Sequence, residues 1–499
     1  MQKSKVKSKN VILSVAMDLI IGLGIVLSLV TFSYSQVPDR SKPPDLGPPP
    51  SMNLPAIQHL KLSNGISVVL MEKHQVPLVE VDLLIKAGMV NDPKDKPGLA
   101  SVTTSMMEEG AGTRNALELA DAIDFLGANI SAFAGWHTAG VSMFTPLSKL
   151  DDALALFGDM CLRPTFPIEE LERNRKERLT TLMQWHDEPR AIASVQFSKT
   201  LYGNNHPYGK PTIGNEKSIR AFKIEDLKKF HQTYFGPGNA SLIVVGDISP
   251  EAILPKLEAI FGKWEGGKVE QQTFPKAVQV KERAIYLIDK PGAPQSEIRI
   301  GRIGVDRMTE DYYALRVMNT ILGGSFSSRL NQNLRELHGY TYGASSNFDF
   351  RMMPGPFLAG SAVQTAVTDS ALFQFFFELN RILEPVSDDE LTRAKNYLTL
   401  RYPESFQTVQ QIAGQLADIV VYNLPDDYFN NFTKNILAVT KEDVQRVAKK
   451  YIEPKKVSII VVGDRKTIEK SVSKLKYGKI KNLTIDDVLG KAPKMDKGE

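Results

Sequence analysis

Two stretches of this chain are written in one register. "IEDLKKFHQTYFGPGNASLIVVGDI" begins at Ile224 and "KEDVQRVAKKYIEPKKVSIIVVGDR" at Lys441. Asp226 aligns with Asp443, Tyr234 with Tyr451, and Gly246-Asp247 with Gly463-Asp464, each pair 217 residues apart. A second pair of segments, "EKHQVPLVEV" from Glu72 and "DKPGAPQSEI" from Asp289, keeps that spacing through Pro77 and Pro294 and through Glu80 and Glu297. Self-similarity at one ungapped offset specifies a tandem duplication, so the chain must build one domain twice. Its 499 residues also exceed what a single core usually holds.

Each half has the same order of patterns. Strand-like alternation opens it ("ISVVLMEKH", "VEVDLLIKAG"; "AIYLIDK", "SEIRIGRIG"). A short helix follows, from Gly98 to Glu109 and from Tyr312 to Leu322, then longer helical stretches such as "PIEELERNRKERLTTLMQWH" and "SDDELTRAKNYLTLRY". Each half closes with helix, strand and helix. Hairpin-like pairs occur beside alternating strands and helices, so the class is α+β, with helices packed on an antiparallel or mixed sheet, rather than a doubly wound sheet. The expected divisions are an N-terminal half at 55–265, a polar linker at 266–283, a C-terminal half at 284–480 and a polar tail at 481–499.

The first residues differ in kind. "MQKSKVKSKN" holds four lysines and no acid, and "VILSVAMDLIIGLGIVLSLVTF" is apolar except for Asp18. Ser33 and Ser35 before Gln36 supply the small residues a signal peptidase needs. Residues 1–35 therefore read as a signal peptide or, since the run is long enough to span a bilayer, as an anchor tethering the chain through residues 11–32. Either version places the body outside the cytoplasm, periplasmic or membrane-anchored. Residues 36–54 are a proline-rich linker.

Composition narrows the chemistry. A formal net charge of +4 is weak and argues against nucleic-acid binding, which would need a clustered basic face. The lone cysteine, Cys161, rules out an internal disulfide framework and a cysteine-based zinc site, and reads as a small buried apolar residue. None of the seven histidines lies three or four residues from another, so no helical turn presents a histidine pair. "WHDEP", with His186, Asp187 and Glu188 adjacent, splays its side chains around a helix and is a poor metal site.

The segments "LSNGISVVLMEKHQVPLVEVDLLIKAGMVNDPKDKPGLA", "NHPYGKPTIGNEKSI", "PGAPQSEIRIG" and the two "VVGD" strands resemble the pitrilysin/insulinase family of zinc peptidases, the inverzincins, in their two-half, processing-peptidase-like form. The resemblance covers nearly everything after the linker. It implies two homologous α+β halves per chain, with two such chains, or one double-length chain, closing around an inner chamber. The family's inverted motif, His-x-x-Glu-His after "GLA", falls on Ser101, Thr104 and Ser105, and its distal glutamate ligand on Thr181. Hydroxyls are poor zinc ligands and no base near neutral pH. These four are degenerate positions, and no metal or other cofactor is expected in this chain.

The resemblance also implies an arginine and a tyrosine that reach into the chamber and stabilise the substrate carbonyl as it gains charge. Arg335 and Tyr342, seven residues apart, match that pattern, with Tyr340 as a competitor. Ser131, Ala132, Phe133 and Ala134 match the edge strand that pairs with substrate backbone. Gly323 and Gly324 would let a loop approach a bound peptide. The expectation is a zinc-less subunit that is inactive alone, contributes Arg335 and Tyr342, and works with a homologous zinc-bearing subunit on peptide or unfolded-protein substrates. The alternative is an interaction or scaffold protein derived from the same family.

Overall fold

The computed structural model describes residues 54–266 and 273–495, together with Gly47. The basic and apolar N-terminal run, its cleavage site and most of the proline-rich linker lie outside the described residues. Among the described residues no helix is long and apolar enough to cross a membrane.

The first half is a six-stranded sheet. Its strands are β1 (Gln58–Lys61), β2 (Ser67–Glu72), β3 (Leu78–Ile85), β4 (Asn129–Ala134), β5 (Ala139–Pro146) and β6 (Ala240–Gly246), in the order β1-β2-β6-β3-β5-β4. Its main helices are α1 (Leu99–Met107), α2 (Leu150–Leu162), α3 (Ile168–Trp185), α4 (Pro189–Tyr202), α5 (Ile224–Tyr234) and α6 (Pro250–Phe261). The second half repeats the plan with β7 (Ala284–Asp289), β8 (Gln295–Ile303), β9 (Ser345–Phe348), β10 (Pro356–Gln364), β11 (Ser458–Gly463) and β12 (Lys479–Leu483), ordered β9-β10-β8-β11-β7-β12. Its helices include α7 (Tyr312–Asn319), α8 (Thr368–Arg381), α9 (Asp388–Arg401), α10 (Val409–Tyr422) and α11 (Lys441–Tyr451). The two-half α+β architecture read from the duplication is the one found.

Local chemistry accounts for the element ends. The Thr408 side chain accepts from Gln411 N at the start of α10 and Gln411 Oε1 accepts from Thr408 N, a reciprocal capping box. At the start of α1, Gly98 sits at φ 91, and an added Cβ would lie 2.6 Å from Ile213 O. Only glycine combines that dihedral with that approach.

The duplication breaks at the outer edges. β1 opens the first half and pairs antiparallel with β2, whereas β12 closes the second half and pairs parallel with β7. The segment expected to be a polar tail from 481 therefore begins inside an edge strand, and a helix at Ile485–Leu489 follows it. Its lysines masked it: "KIKNL" is short and charged because an edge strand facing solvent resists pairing with other chains. The described part of the 266–283 linker forms no strand or helix, and Gln279 Nε2 ties it to Ile303 O at 2.7 Å.

The halves are sewn together reciprocally. Helix α10 of the second half packs on β3 and β6, and α4 of the first half packs on β8 and β11. Leu416 and Ile412 are buried in one cluster with Leu84, Ile243 and Val245, while Ile192 and Phe197 share another with Ile460 and Val462. Each such side chain contributes about 1.5–3 kcal/mol on burial, so the halves form one structural unit.

Candidate functional site

Helix α1 carries the degenerate motif, and α3 crosses beside it. The four motif side chains divide into two pairs. Thr104, 2% exposed, donates to Ala100 O and Ser101 O at 3.2 Å each, and Thr181 donates to Glu177 O at 3.0 Å. Both threonines thus turn back onto their own helices. Ser101 and Ser105 enter a network that the sequence did not disclose. Asn174 Nδ2 donates to Ser105 Oγ at 2.9 Å, Arg178 Nε to Asn174 Oδ1 at 2.6 Å, and Arg178 Nη1 to Ser101 Oγ at 2.9 Å and Ile213 O at 3.2 Å.

Burial lowers the Arg178 guanidinium to about 10 while the Asp92 and Glu177 carboxylates oppose that shift, so it stays charged at neutral pH. A fixed cation thus links Ser101 directly, and Ser105 through Asn174, and the side chains at the four positions read as degenerate are themselves neutral. These residues do not fit zinc: the ligand types are missing and a guanidinium would repel the ion. Among the described residues no group of three or more histidine, cysteine or carboxylate side chains is arranged to hold a metal. The adjacent Asp187 instead pairs with Lys290 at 3.0 Å, and the Cys161 thiol is fully buried and pushed up by desolvation. The available signal for the network was spacing: Asn174 and Arg178 lie seven and three residues before Thr181, on the same helical face.

In the second half, α7 runs on as a π-helical turn over Thr320–Gly324, and a second π-turn over Gln332–Leu337 carries Arg335. The Arg335 guanidinium stacks over the exposed Phe326 ring at 4.4 Å and faces Glu336 at 3.1 Å. Tyr342 is 93% exposed, whereas Tyr340 is half-buried, stacks on His338 at 5.0 Å, and donates its backbone N–H to Leu334 O. The structure thus separates the two tyrosines: one serves the fold, and the other presents its phenol to solvent.

The run Ser131–Ala134 lies in β4, the outer strand of the first sheet, paired on one side with β5. Its other side is partly covered, because Ala132 N donates to Glu108 Oε1 at 2.6 Å. Gly323 has a packing reason: a Cβ there would lie 2.3 Å from Ser346 N of β9. Gly323 and Gly324 also line a cleft of about 910 Å³ between α7, α9 and β9, with Arg307, Arg316, Arg401 and Tyr402 on its walls. The cleft is the second half's counterpart of the α1–α3 space that the Arg178 network occupies.

These features agree with what the chain is similar to. The family model described as Insulinase (Peptidase family M16) matches residues 67–216, and that described as Peptidase M16 inactive domain matches residues 221–398. An uncharacterized zinc protease, YmxG, of Bacillus subtilis is 28% identical over 291 residues, covering 58% of this chain and 69% of that protein. A non-peptidase homolog, YmxG, of Helicobacter pylori is 20% identical over 416 residues, covering 82% of this chain and 95% of that one. A solved M16 inactive-domain structure from Pseudomonas fluorescens superposes with a TM-score of 0.77 at 27% identity, over 82% of this chain and 98% of the other. A Helicobacter pylori protease structure shares the fold with a TM-score of 0.74 at 21% identity, over 82% of this chain and all of that one (100%). With family models matched over both halves, the chain belongs to the insulinase (M16) peptidase family.

Proposed function

We propose that this chain is the non-catalytic subunit of an exported two-chain zinc peptidase, and that it presents Arg335 and Tyr342 to a substrate carbonyl beside a homologous zinc-bearing subunit. The observation that carries the reading is the contrast between the two positions. The metal position is closed by an internal network, while Tyr342 stands out of the fold with no bond to it. Exposed apolar side chains also gather on this half: Phe326, Leu337, Phe373 and Phe377 are between 47% and 74% exposed. Such a surface suits a partner chain. The export part of the proposal rests on the basic and apolar N-terminal run.

The test is reconstitution with a zinc-bearing homologue from the same cell. Alone, the purified chain should hold no stoichiometric zinc after dialysis and cleave no peptide. In the pair, Arg335→Ala or Tyr342→Phe should lower turnover roughly 100- to 1000-fold, about 2.7–4 kcal/mol, with assembly unchanged on gel filtration. Tyr340→Phe is the control and should matter less. If both variants assemble and cleave like the parent, the scaffold reading replaces this one. N-terminal mass spectrometry of the native protein tests export: a soluble cytoplasmic chain with Met1 intact would contradict it.

A further inference from the structure

Strand β3 places Val79, Val81 and Leu83 in the first half's core, so Glu80 and Asp82 face the other side, where α10 packs. Two carboxyls two residues apart on one strand face are 5% and 9% exposed. No protein donor reaches Glu80 Oε2 or Asp82 Oδ1. Burial raises both carboxyls, the charge of Asp82 raises Glu80 further, and the Ser142 hydroxyl opposes the rise at Asp82. Buried acids without a counter-cation cost stability.

The duplication supplies an internal control. At the equivalent positions of β8 stand Glu297 and Arg299, 3.5 Å apart, with Arg190 of α4 as a second cation close to Glu297. That half neutralises itself. Over Glu80 and Asp82, α10 offers Gln410, Gly414, Ala417 and Asp418, and an added Cβ on Gly414 would meet no atom within 4 Å. The result is a cleft of about 490 Å³ with acids on its floor and open space under its roof. The nearest cation, Arg351, is committed to Asp349 and to the rings of Trp136 and Tyr208. His137 is held neutral by burial. No set of three metal-ligating side chains converges here, so an organic cation fits better than a metal ion. Phe133, Trp136 and Phe350 wall the cleft with aromatic faces that suit an alkyl stem or a cation. Phe133 belongs to β4, the strand read above as a peptide-pairing edge.

We propose that this cleft takes the cationic side chain, lysine or arginine, of a peptide lying along β4, with Glu80 and Asp82 as its counter-charges. The proposal rests on the peptide-binding reading of the subunit and adds the substrate's charge. It is tested with the full chain by fluorescence anisotropy, using a labelled peptide with one central lysine and its norleucine analogue. The lysine peptide should bind at least tenfold tighter. Glu80→Gln combined with Asp82→Asn should erase the preference, and Glu297→Gln should keep it. Gly414→Leu, which fills the cleft from α10 without touching the acids, should also erase it and stands in should the double variant fail to fold. Equal binding of the two peptides overturns the proposal and leaves the peptide-binding reading standing. Binding of neither overturns both. A preference that survives in the double variant or in Gly414→Leu places the cation elsewhere and overturns it as well.

Discussion

Helices α3 and α9 align on Glu170-Leu171 and Glu390-Leu391, which sets Asn174 and Arg178 opposite Ala394 and Leu398. In the first half the longer polar side chains cross to α1 and fill the space with hydrogen bonds. In the second half the apolar replacements cannot cross, and the space beside α7 stays open as a cleft walled by three arginines. Loss of the metal ligands alone would have left polar groups around a void. The first half instead holds a hydrogen-bonded network centred on a guanidinium, which joins α1 to α3.

The largest effect that tests this comparison is Arg178→Ala. It removes the donors to Ser101, Asn174 and Ile213 in one step and leaves three acceptors in a half-buried space. The expected loss is about 2–4 kcal/mol in denaturant unfolding, with Arg178→Lys a poor rescue because one ammonium cannot span the same three acceptors. Leu398→Ala, its counterpart in α9, opens a cleft wall and should cost less. A change below about 0.5 kcal/mol for Arg178→Ala would show that the network is incidental.

A second pair of variants sets β3 against β8 with opposite signs. Burial, and then the Asp82 charge, raises Glu80 to about 9, so the folded state holds a proton that the unfolded chain releases near 4.5. Between those values the folded state binds more protons, and the parent loses stability as pH rises. The groups facing the pair are His137 from the turn after β4, Asp349 and Arg351 from the segment after β9, and Asp418 and Tyr422 from α10. His137, lowered to about 4, is neutral across that window, and Asp418, raised by burial, adds a slope of the same sign. Glu80→Gln should therefore flatten the profile and raise the melting temperature at pH 8 to 9, with little change at pH 5. Glu297→Gln strands Arg299 and should lower it throughout. Parallel profiles for the two variants would erase the distinction between the halves.

What could be read in advance follows from which contacts are local. The repeat and the strand alternation are written within short windows, and the two-sheet fold they imply is the one found. "VEVDLL" also reads correctly as a strand, yet period-two alternation only separates two faces. It gives Glu80 and Asp82 the usual solvent-facing role of polar positions, because nothing local says that the other half's α10 will cover them. The Arg178 network fails to show for a related reason: its members come from α1, α3 and the loop at Ile213, far apart in sequence. β12 was hidden by the lysines that guard it as an edge. The Arg335–Tyr342 spacing could be read, and the structure adds which tyrosine is free of the fold.

The smallest effect concerns Gly414. A glycine inside a helix costs about 0.5–1 kcal/mol relative to alanine, and α10 carries one in the turn that faces Glu80 and Asp82. Open space around it means that packing does not demand glycine there. Gly414→Ala should therefore stabilise the chain by that amount, a rise of a few degrees at most in the melting temperature. If the cleft over the acids is kept open for a cationic side chain, the same methyl should weaken the lysine peptide while sparing its norleucine analogue, so stability and affinity move in opposite directions. A variant that is both more stable and equally tight for lysine would mean that the open roof serves no ligand, and the difference between β3 and β8 would then be one of packing alone.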